Sequence, residues 1–229
     1  DKQTPVQLRR LSVLFCDMVG STELGEQLRI DEMQVVFQHY RDIATIVAER
    51  HHGHMAASQG DGLVILFGYP RVLDGFAERC LLAAQDLQNT LSQRPVVLDG
   101  HAPIHIATRV GIASGQAAVG HARSDVSGDH MHLVGPVVNR AARLQTVAHP
   151  SACAVDRKTR DLTKAAVLYA EPEAHVLKGL ADPVEVFHVQ GLRRSADTPC
   201  GPITLVGRAF EIAFLFDLWA KAQVGQTRT

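Results

Sequence analysis

Three groups of residues have types and spacings that could do chemistry. Asp17 closes an apolar run containing Leu11, Val13, Leu14, Phe15 and Cys16, and a small-residue turn, Val19-Gly20-Ser21-Thr22, follows it. Backbone N–H groups at a strand–turn–helix junction attract anions. A carboxylate beside them repels a phosphate unless a cation lies between, so the local chemistry points to a metal–phosphate site. Asp61 sits in the turn Gly60-Asp61-Gly62, just before a second apolar run, Leu63–Phe67. Asn139 and Arg143 lie four residues apart, so on a helix both project from one face and could contact one ligand. Each group also has an ordinary reading: a helix-capping aspartate, a hairpin-turn former and a surface Asn–Arg pair.

The elements that must position these residues are legible from periodicity. The run ending at Asp17 reads as a strand buried on both faces. Glu23–Arg29 is a short helical piece, and Asp31 opens a helix to Arg50 with Val35, Val36, Ile43, Ile46 and Val47 at helical spacing. His54–Gln59 and Leu63–Phe67 form a hairpin about the Gly-Asp-Gly turn. A helix over 74–92 follows, then a strand Ile104–Ser114 that turns at Gly115 into a second hairpin. Ala122–His130 reads as a loop and Met131–Val134 as a short strand. Pro136 opens a helix through Val147 that carries Asn139 and Arg143. Ala152–Val155 is a strand, Asp156–Thr163 a helix, and Val167–Ala170 pairs with Pro183–Val189. Two hairpins among alternating elements predict an α+β fold, a mainly antiparallel sheet with helices packed on it.

Composition narrows the class. The chain has 229 residues, 46% hydrophobic and 21% charged, with a net charge of −1, so nothing draws it generally to nucleic acid or membrane surfaces. Cys16, Cys80, Cys153 and Cys200 are scattered without a CxxC pair, which fits a reducing, cytoplasmic setting and not a disulfide framework. No apolar run approaches the ~20 residues that span a bilayer, and no targeting segment is expected. Residues 1–8 read as a linker, 191–204 as a second linker, and 205–229, LVGRAFEIAFLFDLWAKA and onward, as an amphipathic helix.

The ordered set resembles the catalytic domain of class III nucleotidyl cyclases over about residues 9–190. It comprises Asp17 with Gly20-Ser21-Thr22, Gly60-Asp61-Gly62, the strand Arg109–Gly115, and Asn139-x-x-x-Arg143 after Val134-Gly135. The resemblance implies a ferredoxin-like βαββαβ core with extra C-terminal strands. It implies a head-to-tail homodimer whose active sites lie at the interface. Asp17 and Asp61 match the metal-binding aspartates, with the Met18 carbonyl a further ligand for two Mg²⁺ or Mn²⁺ ions. Val19, Gly20, Ser21 and Thr22 would cradle the triphosphate, and Lys178 lies in the region supplying a phosphate-contacting lysine. Asn139 matches the ribose-positioning residue and Arg143 the one that stabilises charge at the α-phosphate, both from the partner subunit. The segment after Leu205 looks like the opening of an ATPase module, without its GxxxxGK[ST] loop.

The base pocket departs from that pattern. Adenine-selective members carry Lys where this chain has Ala57, and Asp, Thr or Ser where it has His132; Ser21 replaces the usual Phe. Ala57 offers no hydrogen bond, whereas His132 donates or accepts according to tautomer. The expected activity is conversion of ATP to 3′,5′-cyclic AMP and pyrophosphate by two-metal catalysis. The alternatives are a regulatory pseudo-cyclase that dimerises or senses nucleotide and, ranked last, a guanylyl cyclase. Other residues carry less. His51, His52 and His54 lack a metal-ligand spacing, His121, His130 and His132 flank the expected loop, and Ser12 and Ser114 have no paired histidine motif for a nucleophile.

Overall fold

The computed structural model describes residues 6–124, 128–176 and 183–193, backbone alone for 121–124 and 128–130. Lys178 and the expected ATPase segment fall outside the described residues, as does residue 194 onward of the second linker.

Strands β1 (Gln7–Met18), β2 (His54–Gln59), β3 (Gly62–Phe67) and β4 (Thr108–Ser124) lie in the order β2-β3-β1-β4, every neighbouring pair antiparallel. Helices α1 (Ser21–Gln27) and α2 (Ile30–Arg50) connect β1 to β2, and α3 (Phe76–Gln93) connects β3 to β4. This is the expected ferredoxin-like βαββαβ core. After β4 come β5 (Gly128–Val134), α4 (Pro136–Val147), β6 (Ala152–Asp156), α5 (Arg157–Thr163), β7 (Val167–Tyr169), β8 (Glu173–His175) and β9 (Val184–Leu192). β6 adds parallel to β4, β9 adds antiparallel to β6, and β7 and β8 both pair with β9.

The sheet is covered on both faces, which is why β1 is a continuous apolar run. Leu14, Cys16 and Met18 belong to the layer built with α2 and α3, where Val36, Tyr40, Ala44 and Val47 make the helical stripe. Leu11 and Val13 belong to the opposite layer, with Val137, Ala141 and Leu144 of α4. A fully buried aliphatic side chain contributes roughly 1.5–3 kcal/mol, so packing on both sides fixes the register of β1. One residue of slip would exchange the layers. Asp17 shares the parity of Leu11 and Val13 and therefore faces the α4 layer.

Several boundaries differ from the sequence reading. β1 starts at Gln7, inside the expected first linker, because Gln7 and Leu8 pair with Val119 and Ala118 of β4. Gly115 makes no turn. β4 runs straight through it, and a Cβ there would lie 3.1 Å from Val137 Cβ, so the glycine lets α4 sit close. The expected loop Ala122–His130 is mostly the arm of a β4–β5 hairpin, Ser124 pairing with Gly128. The expected strand from Ile104 starts at Thr108; Ile104 itself makes only an isolated bridge to Val96. β8 was not foreseen.

Candidate active site

Asp17 is the penultimate residue of β1, and its strand partner on β3 is Gly62, the residue after Asp61. The hairpin turn therefore brings the Asp61 carboxylate beside that of Asp17. Burial, and after it the charge of Asp61, raises the Asp17 carboxyl above the usual carboxylate range. A hydrogen bond from Gln145 and the charge of Arg109 work in the other direction. Gln145 Nε2 donates to Asp17 Oδ2 over 3.3 Å, and Arg109 is the β4 partner of Asp17. Ser21 Oγ, in the first turn of α1, donates to Asp61 Oδ2 over 2.5 Å. Two carboxylates thus face one another, each steered by a neutral donor.

Backbone pairing adds a third oxygen. The Val19 N–H donates to the Ala107 carbonyl over 2.8 Å. Antiparallel pairing alternates along a strand, so the Met18 carbonyl turns to the other edge, past the last β1–β3 pair and toward the Asp61 turn. The same bond occupies Val19, so its N–H is not free for a phosphate as the sequence reading had it. Gly20 takes φ 72° as the N-cap of α1, and the first-turn N–H groups after it have no intrahelical acceptor.

Helix α4 is held against this site by a glycine. A Cβ on Gly111 would lie 2.1 Å from the Gln145 backbone N and 2.3 Å from the Ala141 carbonyl oxygen, so only glycine permits the approach. Val137, Ala141 and Leu144 are buried, and at 100° per residue Asn139 lies opposite Ala141. Asn139 is exposed, and Arg143 lies 40° from it on the wheel, half-buried, its Nη1 enclosed with no hydrogen-bond partner among the described residues. No hydrogen bond or ion pair among the described residues joins Asn139 or Arg143 to Asp17 or Asp61. Ala57 is exposed on β2 beside a register shift, opposite Val64. His132 is exposed on β5, opposite Gly120. Asp17, Ser21 and Asp61 thus lie together, with Ala57 on the adjoining hairpin, while α4 reaches them through Gln145.

Sequence reasoning missed Gln145 as a partner of Asp17. It lies six residues after Asn139, on a different helical face, and its link to Asp17 spans 128 positions. Arg109 stood in the quoted motif without a role. Ser12 and Ser114 are buried in a hydroxyl chain, and His51 lies 3.0 Å from Asp86, so neither idle reading gains a ligand or nucleophile.

Residues 5–191 match the adenylate and guanylate cyclase catalytic domain. The chain belongs to this family. As a class III cyclase domain, it is 30% identical over 146 residues to an uncharacterised protein of Mycobacterium tuberculosis, covering 62% of this chain and 25% of that one. An uncharacterised protein of Rhizobium meliloti is 26% identical over 230 residues, 95% of this chain and 21% of that one. The chain spans about a quarter of the length of these curated relatives. Among solved structures, the adenylyl cyclase CyaB from P. aeruginosa superposes with a TM-score of 0.74 at 22% identity, covering 83% of this chain and 98% of that one. The guanylate cyclase domain of RhGC from Catenaria anguillulae, in complex with GTP, gives 0.74 at 20%, covering 82% and 100%. These likenesses carry the cyclase fold. No helix among the described residues is long and apolar enough to cross a membrane.

Proposed function

We propose that this cyclase domain is an adenylyl cyclase that converts ATP to 3′,5′-cyclic AMP and pyrophosphate as a homodimer. The observation that carries the reading is the meeting of the Asp17 and Asp61 carboxylates at the ends of neighbouring strands. Two facing carboxylates repel unless a cation lies between them, and an oxygen-only set suits Mg²⁺ or Mn²⁺. Asp17, Asp61 and the Met18 carbonyl would hold two such ions per site. When bound, the ions lower the pKa of the ribose 3′-hydroxyl and offset charge on the α-phosphate and the leaving pyrophosphate.

The chain's own residues do the rest. Gln145 and Ser21 orient the two carboxylates. The N–H groups of Gly20, Ser21 and Thr22 receive phosphate oxygens, and Lys178 is proposed as a further phosphate contact. Arg143 and Asn139 of a second copy complete the site: the guanidinium faces the charge at the α-phosphate, and the amide fixes the ribose. The enclosed Nη1 of Arg143 supports this role, since an unpartnered buried cation is costly and an anionic ligand relieves it. Ala57 and His132 stand at the base-reading positions. We also propose that an ATPase module follows in the full-length protein, and that the buried free thiols found among the described residues, Cys16, Cys80 and Cys153, sit in a reducing, cytoplasmic setting.

Cyclic nucleotide formed from ATP or GTP with each metal is the direct test; no product from a folded dimer overturns the proposal. Mixing Asp17→Ala with Arg143→Ala tests the shared site. Random pairing makes half the dimers mixed, each with one rebuilt site, so about a quarter of wild-type turnover should return. No recovery refutes cross-subunit catalysis. A second reading, a regulatory pseudo-cyclase, is favoured by Ala57, which cannot mark a base. Calorimetry showing nucleotide binding without turnover would support it over the first.

A further inference from the structure

A second cluster of potential ligands lies away from the aspartates, between the end of α4 and the last strands. His149 follows the C-cap of α4, Glu173 opens β8, and His188 lies in β9 opposite Ala154 of β6. One donor atom from each lies within 4.8 Å of the other two. The rings of His149 and His188 stack with centroids 4.8 Å apart and planes 27° from parallel. Glu173 Oε2 is 3.9 Å from His188 Nε2 and 3.1 Å from His175 Nε2.

We propose that His149, Glu173 and His188 form a binding site for a divalent transition-metal ion of the Zn²⁺ class, separate from the catalytic ions. His188 is the decisive residue. It is only 8% exposed, yet neither ring nitrogen has a hydrogen-bond partner among the described residues. Burying an imidazole with both nitrogens unmet is costly, and a metal bond to one nitrogen meets one of the two. Burial also favours its neutral form, the one that ligates metals, with His149 and His175 acting in the same sense and Glu173 opposing.

The reach is short. Tetrahedral ligands at about 2.0–2.1 Å from zinc stand about 3.4 Å apart. The exposed side chains of His149 and Glu173 need close by little more than an ångström, and buried His188 need not move. His175 would then hold the Glu173 carboxylate from outside, the arrangement that steadies ligands in metal centres. Two imidazoles and one carboxylate favour zinc-class ions over Mg²⁺. Three protein ligands leave a fourth position to water. Because His149 follows the C-cap of α4, the ion would tie the end of the helix bearing Arg143 and Gln145 to β8 and β9.

The test is a calorimetric Zn²⁺ titration of the full chain in excess Mg²⁺, with the visible spectrum of the Co²⁺-substituted protein as a second readout. One Zn²⁺ per chain is expected, with affinity falling at least about tenfold in Glu173→Gln and in His149→Ala. Both side chains are exposed, so these variants should fold. Asp17→Asn and His52→Ala should leave the affinity unchanged. Absence of Zn²⁺ binding overturns the proposal. So does binding that survives both site variants, or that is lost with Asp17→Asn.

Discussion

Gly111→Ala offers a quantitative probe of how the fold positions the chemistry. The added Cβ would stand 2.1 Å from the Gln145 backbone N and 2.3 Å from the Ala141 carbonyl oxygen. Ordinary contact begins at 3.4 Å, so α4 must retreat by about 1.3 Å, and no side-chain rotation can absorb a clash with backbone. Overpacking of this kind costs typically 1–3 kcal/mol, and a backbone clash belongs at the upper end. For a domain of this size about 3 kcal/mol lowers Tm by roughly 6–12 °C. The displaced helix carries Asn139, Arg143 and Gln145, and an ångström-scale misplacement can cost about a hundredfold in rate. The assay is Mn²⁺-supported turnover of ATP alongside thermal unfolding, with two controls. Gly115→Ala meets only the Val137 side chain, nearest atom at 3.1 Å, and should be milder; Gly191→Ala meets nothing within 4 Å and should be neutral. A folded Gly111→Ala protein with unchanged Tm and turnover would refute the close-packing argument.

Three further outcomes follow from the site and core. The Asp17 carboxyl is raised above 3.8, so between that value and the raised one the folded state holds more protons than the unfolded chain. Stability therefore falls as pH rises through that interval, and the penalty persists at neutral pH. In chelator, Asp17→Asn should raise Tm near neutrality, with the gain shrinking toward about pH 4, while Mn²⁺ should raise the Tm of wild type only. Thr159 Oγ1 lies 2.6 Å from Asp156 Oδ1 and 2.9 Å from Ser114 Oγ, and Ser114 Oγ lies 2.6 Å from Ser12 Oγ. Removing one member leaves a buried hydroxyl unmet, so Ser114→Ala should cost about 1–3 kcal/mol in urea unfolding, and Ser12→Ala/Ser114→Ala less than the sum of the singles. Additive costs would dissolve the chain. Ala57→Lys should raise ATP turnover about tenfold, the worth of one hydrogen bond of about 1.4 kcal/mol, and leave GTP turnover unchanged. An unchanged ATP rate would show that base reading does not limit it.

Much of the fold was legible because it is local physics. The apolar run before Asp17 announces a strand covered on two sides, the Gly-Asp-Gly turn announces a hairpin, and the stripe on α2 announces a helix with one buried face. The cyclase catalytic fold was expected from the resemblance of the ordered motifs around Asp17, Asp61, Arg109–Gly115 and Asn139-x-x-x-Arg143 to that family. Gly115 misled because a glycine in a strand reads as a turn until a helix is known to lie across it. The hairpin arm β4–β5 was hidden by polar composition, since its pairing is made by backbone groups that every residue carries.

By itself, then, the order of residues determined which segments become strands and helices, and which acidic and basic side chains stand at their ends. The tertiary structure decided what those side chains meet: Gln145 on Asp17, Ser21 on Asp61, and His149 beside Glu173 and His188. It also left Asn139 and Arg143, among the described residues, without a hydrogen bond or ion pair to the aspartates of their own chain. The reason is that strand register and helix–sheet distance are set by packing among residues far apart in sequence. A contact between positions 17 and 145 exists only once β1, β4 and α4 have been pressed together over Gly111.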